Sequence, residues 1–174
     1  MSAHVILITG PRAAGKSTFA AELHENVAGS VLLHVDEPFH QVMVQDRNRW
    51  VGNEAELYAV VLRHQLGLAR DLALAGTCVV VDATVLPDQL APLLETPTPD
   101  VTIIVLLPSL DECLTNEHRP TRTVPVQEEK VTTTWQEMQA WRHASGVPLR
   151  LVEHYGTARG AALSALVTRL RQAG

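Results

Sequence analysis

Residues 4–18 read His4-Val-Ile-Leu-Ile-Thr-Gly-Pro-Arg-Ala-Ala-Gly-Lys-Ser-Thr18. The first six form an apolar run suited to a strand buried on both faces. The rest match G-x-x-x-x-G-K-[ST], a pattern that carries meaning when a strand precedes it and a helix follows. Here Lys16–Ala28 has a helical pattern, so both flanks agree. In such a turn the glycines let the chain curl until successive N–H groups point inward at phosphate oxygens. Gly10, Pro11, Arg12, Ala13, Ala14, Gly15, Lys16, Ser17 and Thr18 are therefore the expected phosphate-binding loop. Lys16 should reach the β- and γ-phosphates, and the Ser17 hydroxyl should hold Mg²⁺. The positive end of the helix dipole adds to the attraction. The alternative is a strand–helix turn with a chance lysine, but Lys16 and Lys130 are the only lysines in the chain.

Working outward, further apolar runs occur at Val31–Val35, Thr77–Val81 and Val101–Leu107, with a weaker one at Leu149–Val152. Helical patterns separate them at Glu54–Ala75, Pro87–Glu95, Leu110–Glu117, Val126–Ala144 and Thr157–Gln172. Asn53 suits an N-cap and Gly76 a left-handed stop. Strands alternating with helices predict a three-layer α/β fold around a parallel sheet. With 174 residues and no linker-like stretch, one domain is expected. Gln45–Gly52 and His118–Pro125 fit neither element type and are candidate active-site loops.

The composition, 46% hydrophobic and 19% charged with mean hydropathy +0.05, excludes disorder and a disulfide scaffold. Cys78 and Cys113 sit in apolar contexts, which suits a reducing compartment. No signal peptide or membrane-spanning run is visible, so the expected location is cytoplasmic. The net charge of −5 disfavours bulk nucleic-acid binding, although a local basic groove would escape that argument.

Strand ends carry the remaining chemistry. The second run closes on His34-Val-Asp36-Glu37. In a parallel sheet ligands gather at the carboxyl ends of strands, so Asp36 can orient or deprotonate an acceptor hydroxyl. It can equally cap a helix starting near Pro38, and Glu37 can share either role. The third run closes on Val79-Val-Val-Asp82-Ala-Thr84, where a carboxylate can support Mg²⁺ through its water shell. A cap or turn role for Asp82 is the alternative. Arg119 and Arg122, in His118–Pro125, can neutralise charge on a transferring phosphoryl group; they can also complement a helix dipole or pair with Glu117. Arg47, Arg49 and Trp50 can clamp an acceptor, or Trp50 can anchor its loop. Trp135 and Trp141 fit packing better than base stacking, and the last helix, with Arg159, Arg169 and Arg171, reads as an ordinary surface helix. The remaining histidines and the two cysteines lack zinc-ligand spacing.

Taken together, GPRAAGKST, HVD, VVVDATVLPDQL and NEHRPTRTVP resemble the small P-loop kinases of the adenylate-kinase-like class. The nearest branch contains polynucleotide kinase domains and related AAA-type kinases, and the resemblance runs from Val5 to about Met138. In that branch the lid reads Arg-Asn-x-x-Arg, whereas here Thr115 replaces the first arginine, leaving Arg119 or Arg122 to carry the contact. Chloramphenicol phosphotransferases and the tunicamycin-resistance family are similar in layout. The resemblance implies a five-stranded sheet ordered 2-3-1-4-5, a lid near residues 116–124, and ATP with Mg²⁺ as cofactors. It implies transfer of the γ-phosphoryl group to a hydroxyl on a small acceptor such as an antibiotic, nucleoside or sugar, with Thr84 near that acceptor. A polynucleotide or tRNA-type kinase and a non-catalytic nucleotide-binding module are the alternatives. The chain is expected to act as a monomer or homodimer.

Overall fold

The structure is a computed structural model and describes residues 4–45, 49, 52–97, 99–120, 125–146, 149–153 and 157–172. Five parallel strands form one sheet: β1 His4–Thr9, β2 Val31–His34, β3 Cys78–Asp82, β4 Asp100–Leu106 and β5 Leu149–Val152. Their order is β2-β3-β1-β4-β5, which puts β1 at the centre between β3 and β4. Among the described residues seven α-helices complete the layers: α1 Lys16–Asn26, α2 Asp36–Gln45, α3 Glu54–Leu74, α4 Ala91–Leu94, α5 Leu110–Glu117, α6 Glu128–Met138 and α7 Thr157–Gln172.

The unbroken apolar character of the strands has a direct cause. Side chains alternate across a strand, and both faces of this sheet are covered. Val5, Leu7, Val79, Val81, Ile103 and Val105 pack on one side, against Leu62, Leu66 and Ala69 of α3 and the wholly buried Trp141. Their neighbours Ile6, Ile8, Val80, Ile104 and Leu106 face the other side, against Phe19 and Leu23 of α1, Cys113 of α5 and Leu166 of α7. Cys78 and Cys113 are free and buried, and burial pushes the Cys113 thiol up to about 11. They are core residues.

Several element boundaries differ from the sequence expectation. The segment 36–45 forms a helix, α2, which begins at Asp36, two residues ahead of the start expected near Pro38. Pro87–Glu95 is not one helix: a 3₁₀ turn at Pro87–Gln89 precedes the four-residue α4. Val126–Ala144 begins as α6 at Glu128 and tightens to 3₁₀ at Gln139–His143. Asn53 occupies the N-cap of α3 without a side-chain cap, its carbonyl accepting from the Leu57 N–H. Gly76 does end α3 at a positive φ of 95°. No helix among the described residues is long and apolar enough to cross a membrane.

Candidate functional site

The carboxyl end of β1 runs straight into the phosphate-loop sequence. Gly10 is required there, because a Cβ on it would lie 2.2 Å from the Leu106 carbonyl oxygen of β4. Ala13 adopts φ 63° and Gly15 φ 83°, so the chain turns twice through the left-handed region before α1 opens at Lys16. Within the loop the Ala14 N–H donates to the Pro11 carbonyl at 3.2 Å. The first turn of α1 has neither a side-chain cap nor an acidic residue. Its uncapped N–H groups and dipole suit an anion.

Lys16 is 9% exposed, and its ammonium donates to the Pro11 carbonyl at 3.0 Å. Burial pulls its pKa below the usual lysine value, and the charges of Asp82 and then Asp36 oppose that pull. Both strand-end carboxylates therefore act on the same ammonium. Asp36 and Glu37 are exposed and open the first turn of α2.

Parallel register explains how Asp82 arrives. Ile8 of β1 and His34 of β2 both stand opposite Asp82 on β3. The His34 Nδ1 lies 3.0 Å from the Asp82 carboxylate, forming a part-buried pair. Burial alone would raise the Asp82 pKa; the His34 hydrogen bond, the Lys16 charge and a hydrogen bond from Ser17 outweigh it, and the carboxyl is held below its usual range. The same hydrogen bond, against the cost of burial, raises the His34 imidazole. An ionised, buried carboxylate hydrogen-bonded by the Ser17 hydroxyl is a donor set suited to a hard, oxygen-seeking cation such as Mg²⁺.

A family model described as an AAA domain (AAA_33) matches residues 5–144. The chain belongs to that family. In fold, this AAA domain is similar to deoxyadenosine kinase from M. mycoides at 15% identity and TM-score 0.63, covering 97% of this chain and 99% of that one. It is likewise similar to the tunicamycin resistance protein of Deinococcus radiodurans, at 15% identity and TM-score 0.65 over 98% and 96% of the two chains. Shikimate kinase from Acinetobacter baumannii matches at 19% identity and TM-score 0.56 over 97% and 93%. The fold is thus that of small P-loop kinases. No curated protein matches the sequence.

The AAA domain brings the residues of the phosphate loop, Asp36 and Asp82 to one end of the sheet. Thr84 joins them: its hydroxyl reaches the Gly10 carbonyl at 3.5 Å, and its backbone N–H and C=O both engage the Tyr58 hydroxyl. Burial raises the Tyr58 pKa, so the phenol stays protonated. Trp141 donates to the Val85 carbonyl at 2.8 Å and Trp135 to the Pro108 carbonyl at 2.8 Å. Both tryptophans pack and anchor strand-end loops. Arg119 is exposed just beyond α5, and Arg49 is exposed. Arg47, Trp50 and Arg122 lie outside the described residues, as do the side chains of Arg159, Arg169 and Arg171. Of the segment 116–124, Asn116 and Glu117 are buried residues at the end of α5, and 121–124 lie outside the described residues.

Sequence reading missed three participants. No local signal marks His34, because its partner is 48 positions away on another strand. Tyr58 sits in the second turn of α3 and is recruited through a strand-end loop. Glu117 was considered only as a partner for the nearby arginines, yet it pairs with Arg12 at 3.0 Å.

Proposed function

We propose that this AAA domain is a single-domain phosphotransferase that moves the γ-phosphoryl group of ATP to a hydroxyl of a small-molecule acceptor. One observation carries the reading: Lys16 lies in the fields of both Asp82 and Asp36, which come from two different strand ends. A nucleotide-binding module needs the first carboxylate. Group transfer gives a use to the second, exposed one beyond its place in the first turn of α2. The kinases of similar fold support this reading.

In this scheme amides of the Gly10–Thr18 loop, other than Pro11, which has no N–H, and Arg12 and Ala14, whose N–H groups donate within the protein, hold the phosphates together with the Lys16 ammonium. Ser17 and Asp82 would hold Mg²⁺, which when bound would supply neutralisation of the phosphate charge. Asp36 accepts the acceptor hydroxyl's hydrogen bond and takes its proton as the new P–O bond forms and the bond from the γ-phosphorus to the β,γ-bridging oxygen breaks, with ADP leaving. Arg119, with Arg122, neutralises charge developing on the transferring group. Glu37, Arg47, Arg49, Trp50 and Thr84 border the acceptor. The net charge of −5 favours a small acceptor over a polynucleotide.

The test is transfer from γ-labelled ATP to a panel of nucleosides, sugars, aminoglycosides and 5′-hydroxyl oligonucleotides. Mg²⁺-dependent labelling of a small molecule is the expected result. Labelling of oligonucleotides alone would replace this reading with the polynucleotide one. ATP binding without transfer to any acceptor class would reduce the protein to a nucleotide-binding module.

A further inference from the structure

Glu117 is wholly buried at the last position of α5, and no part of the scheme above uses it. A carboxylate there is costly unless paired, typically by several kcal/mol. Its Oε1 accepts from the Arg12 Nε at 3.0 Å and from the Gln127 backbone N–H at 3.0 Å. The Arg12 Nη2 lies 3.0 Å from the same carboxylate and also reaches the Pro125 carbonyl at 3.4 Å. The Arg12 backbone N–H donates to the Thr134 hydroxyl of α6 at 3.2 Å. Beside it, the Asn116 side-chain amide donates to the Ala13 carbonyl at 3.1 Å. Ala13 is the only non-glycine residue at positive φ among those described. Such a conformation persists only where the surroundings over-determine it.

We propose that Arg12 and Glu117 form one positioning unit, a part-buried ion pair that fixes the middle of the phosphate loop against the end of α5 and the start of α6. Arg12 lies within the loop's sequence, but its guanidinium is committed to Glu117. Its task is to hold residues 12 and 13 so that the loop amides converge. Asn116 completes the unit by fixing the strained Ala13 peptide. This inference rests on the reading that the loop binds nucleotide phosphates.

The test is Mg·ADP affinity by calorimetry, with Tm, for wild type, Lys16→Ala, Arg12→Met, Glu117→Gln, Asn116→Ala and the double variant Arg12→Met/Glu117→Met. Charged hydrogen bonds of this kind are strong enough that each single ion-pair variant should lose affinity roughly tenfold or more. The double variant should recover Tm, because apolar side chains of similar volume replace a buried pair well, yet it should not recover affinity. It should also be no worse than the weaker single variant, since the two residues act as one unit. If the single variants fail to fold, the double variant and Asn116→Ala carry the decision. A folded double variant with wild-type affinity, or additive losses, would overturn the proposal while leaving nucleotide binding intact. Wild type that binds no Mg·ADP, or binds it no better than Lys16→Ala, would overturn both this proposal and the reading beneath it.

Discussion

Replacing Lys16 by methionine should stabilise the protein while destroying its affinity for nucleotide. The ammonium is buried, and desolvation is the largest influence on it. Among the described residues its direct hydrogen bond goes to the Pro11 carbonyl. Losing that bond costs about 1 kcal/mol. Removing a buried ammonium returns several kcal/mol of desolvation, from which the lost attraction to Asp82 and Asp36 must be subtracted. Asp82 keeps its His34 and Ser17 partners and is not left unpaired. The lowered pKa means that desolvation outweighs those attractions, so the expected balance is a gain in stability, each 1 kcal/mol of which raises Tm by about 2–4 °C for a chain of this size. The pH dependence has a definite sign. The folded-state pKa of Lys16 is lowered, so the unfolded chain binds more protons between that value and 10.5. Wild-type stability therefore carries the full penalty below the folded pKa and recovers it as pH rises toward 10.5. The advantage of Lys16→Met should narrow over the same interval. Urea unfolding across pH, with calorimetry of Mg·ADP, measures both quantities. A variant destabilised by more than about 1 kcal/mol would refute the reasoning, because Lys16 would then be a structural partner of Asp82.

Asp36→Asn should bind ATP within a few-fold of wild type and reduce single-turnover transfer by roughly 10²-fold or more, the scale of a lost general base; near-normal transfer would hand the role to Glu37 or to no base. Gly10→Ala should cost roughly 2–5 kcal/mol in urea unfolding, combining overpacking against the Leu106 carbonyl with strain at φ 153°. A neutral effect would mean that β1 and β4 are not held as closely as described. The His34–Asp82 pair should give metal-free protein a characteristic pH window. His34, with its pKa raised, contributes fully below 6.5 and loses that contribution as pH rises through its folded value. Asp82, with its pKa lowered, contributes above 3.8 and loses it as pH falls through its folded value. The stability gap between wild type and His34→Gln should thus be largest between those two pH values and shrink in alkali. A gap independent of pH would remove the pair from the account.

Local chemistry in the sequence determined the strands, the phosphate loop and the fold class. Continuous apolar runs require a sheet covered on both faces, and G-x-x-x-x-G-K-S between a strand and a helix leaves few other conformations. Asp36 and Asp82 were legible for a similar reason: each ends an apolar run, and strand ends gather at one edge of a parallel sheet. Tryptophan placement followed from burial alone. Only the tertiary structure decided the partners. His34 meets Asp82 through parallel register between β2 and β3, and Glu117 meets Arg12 across 105 positions. Tyr58 reaches Thr84 because α3 packs over the ends of the strands. Those contacts join residues whose separate surroundings in sequence are unremarkable. Periodicity reports which face of an element is buried, whereas register and helix docking fix what each buried polar group touches, and these emerge only when the layers pack together.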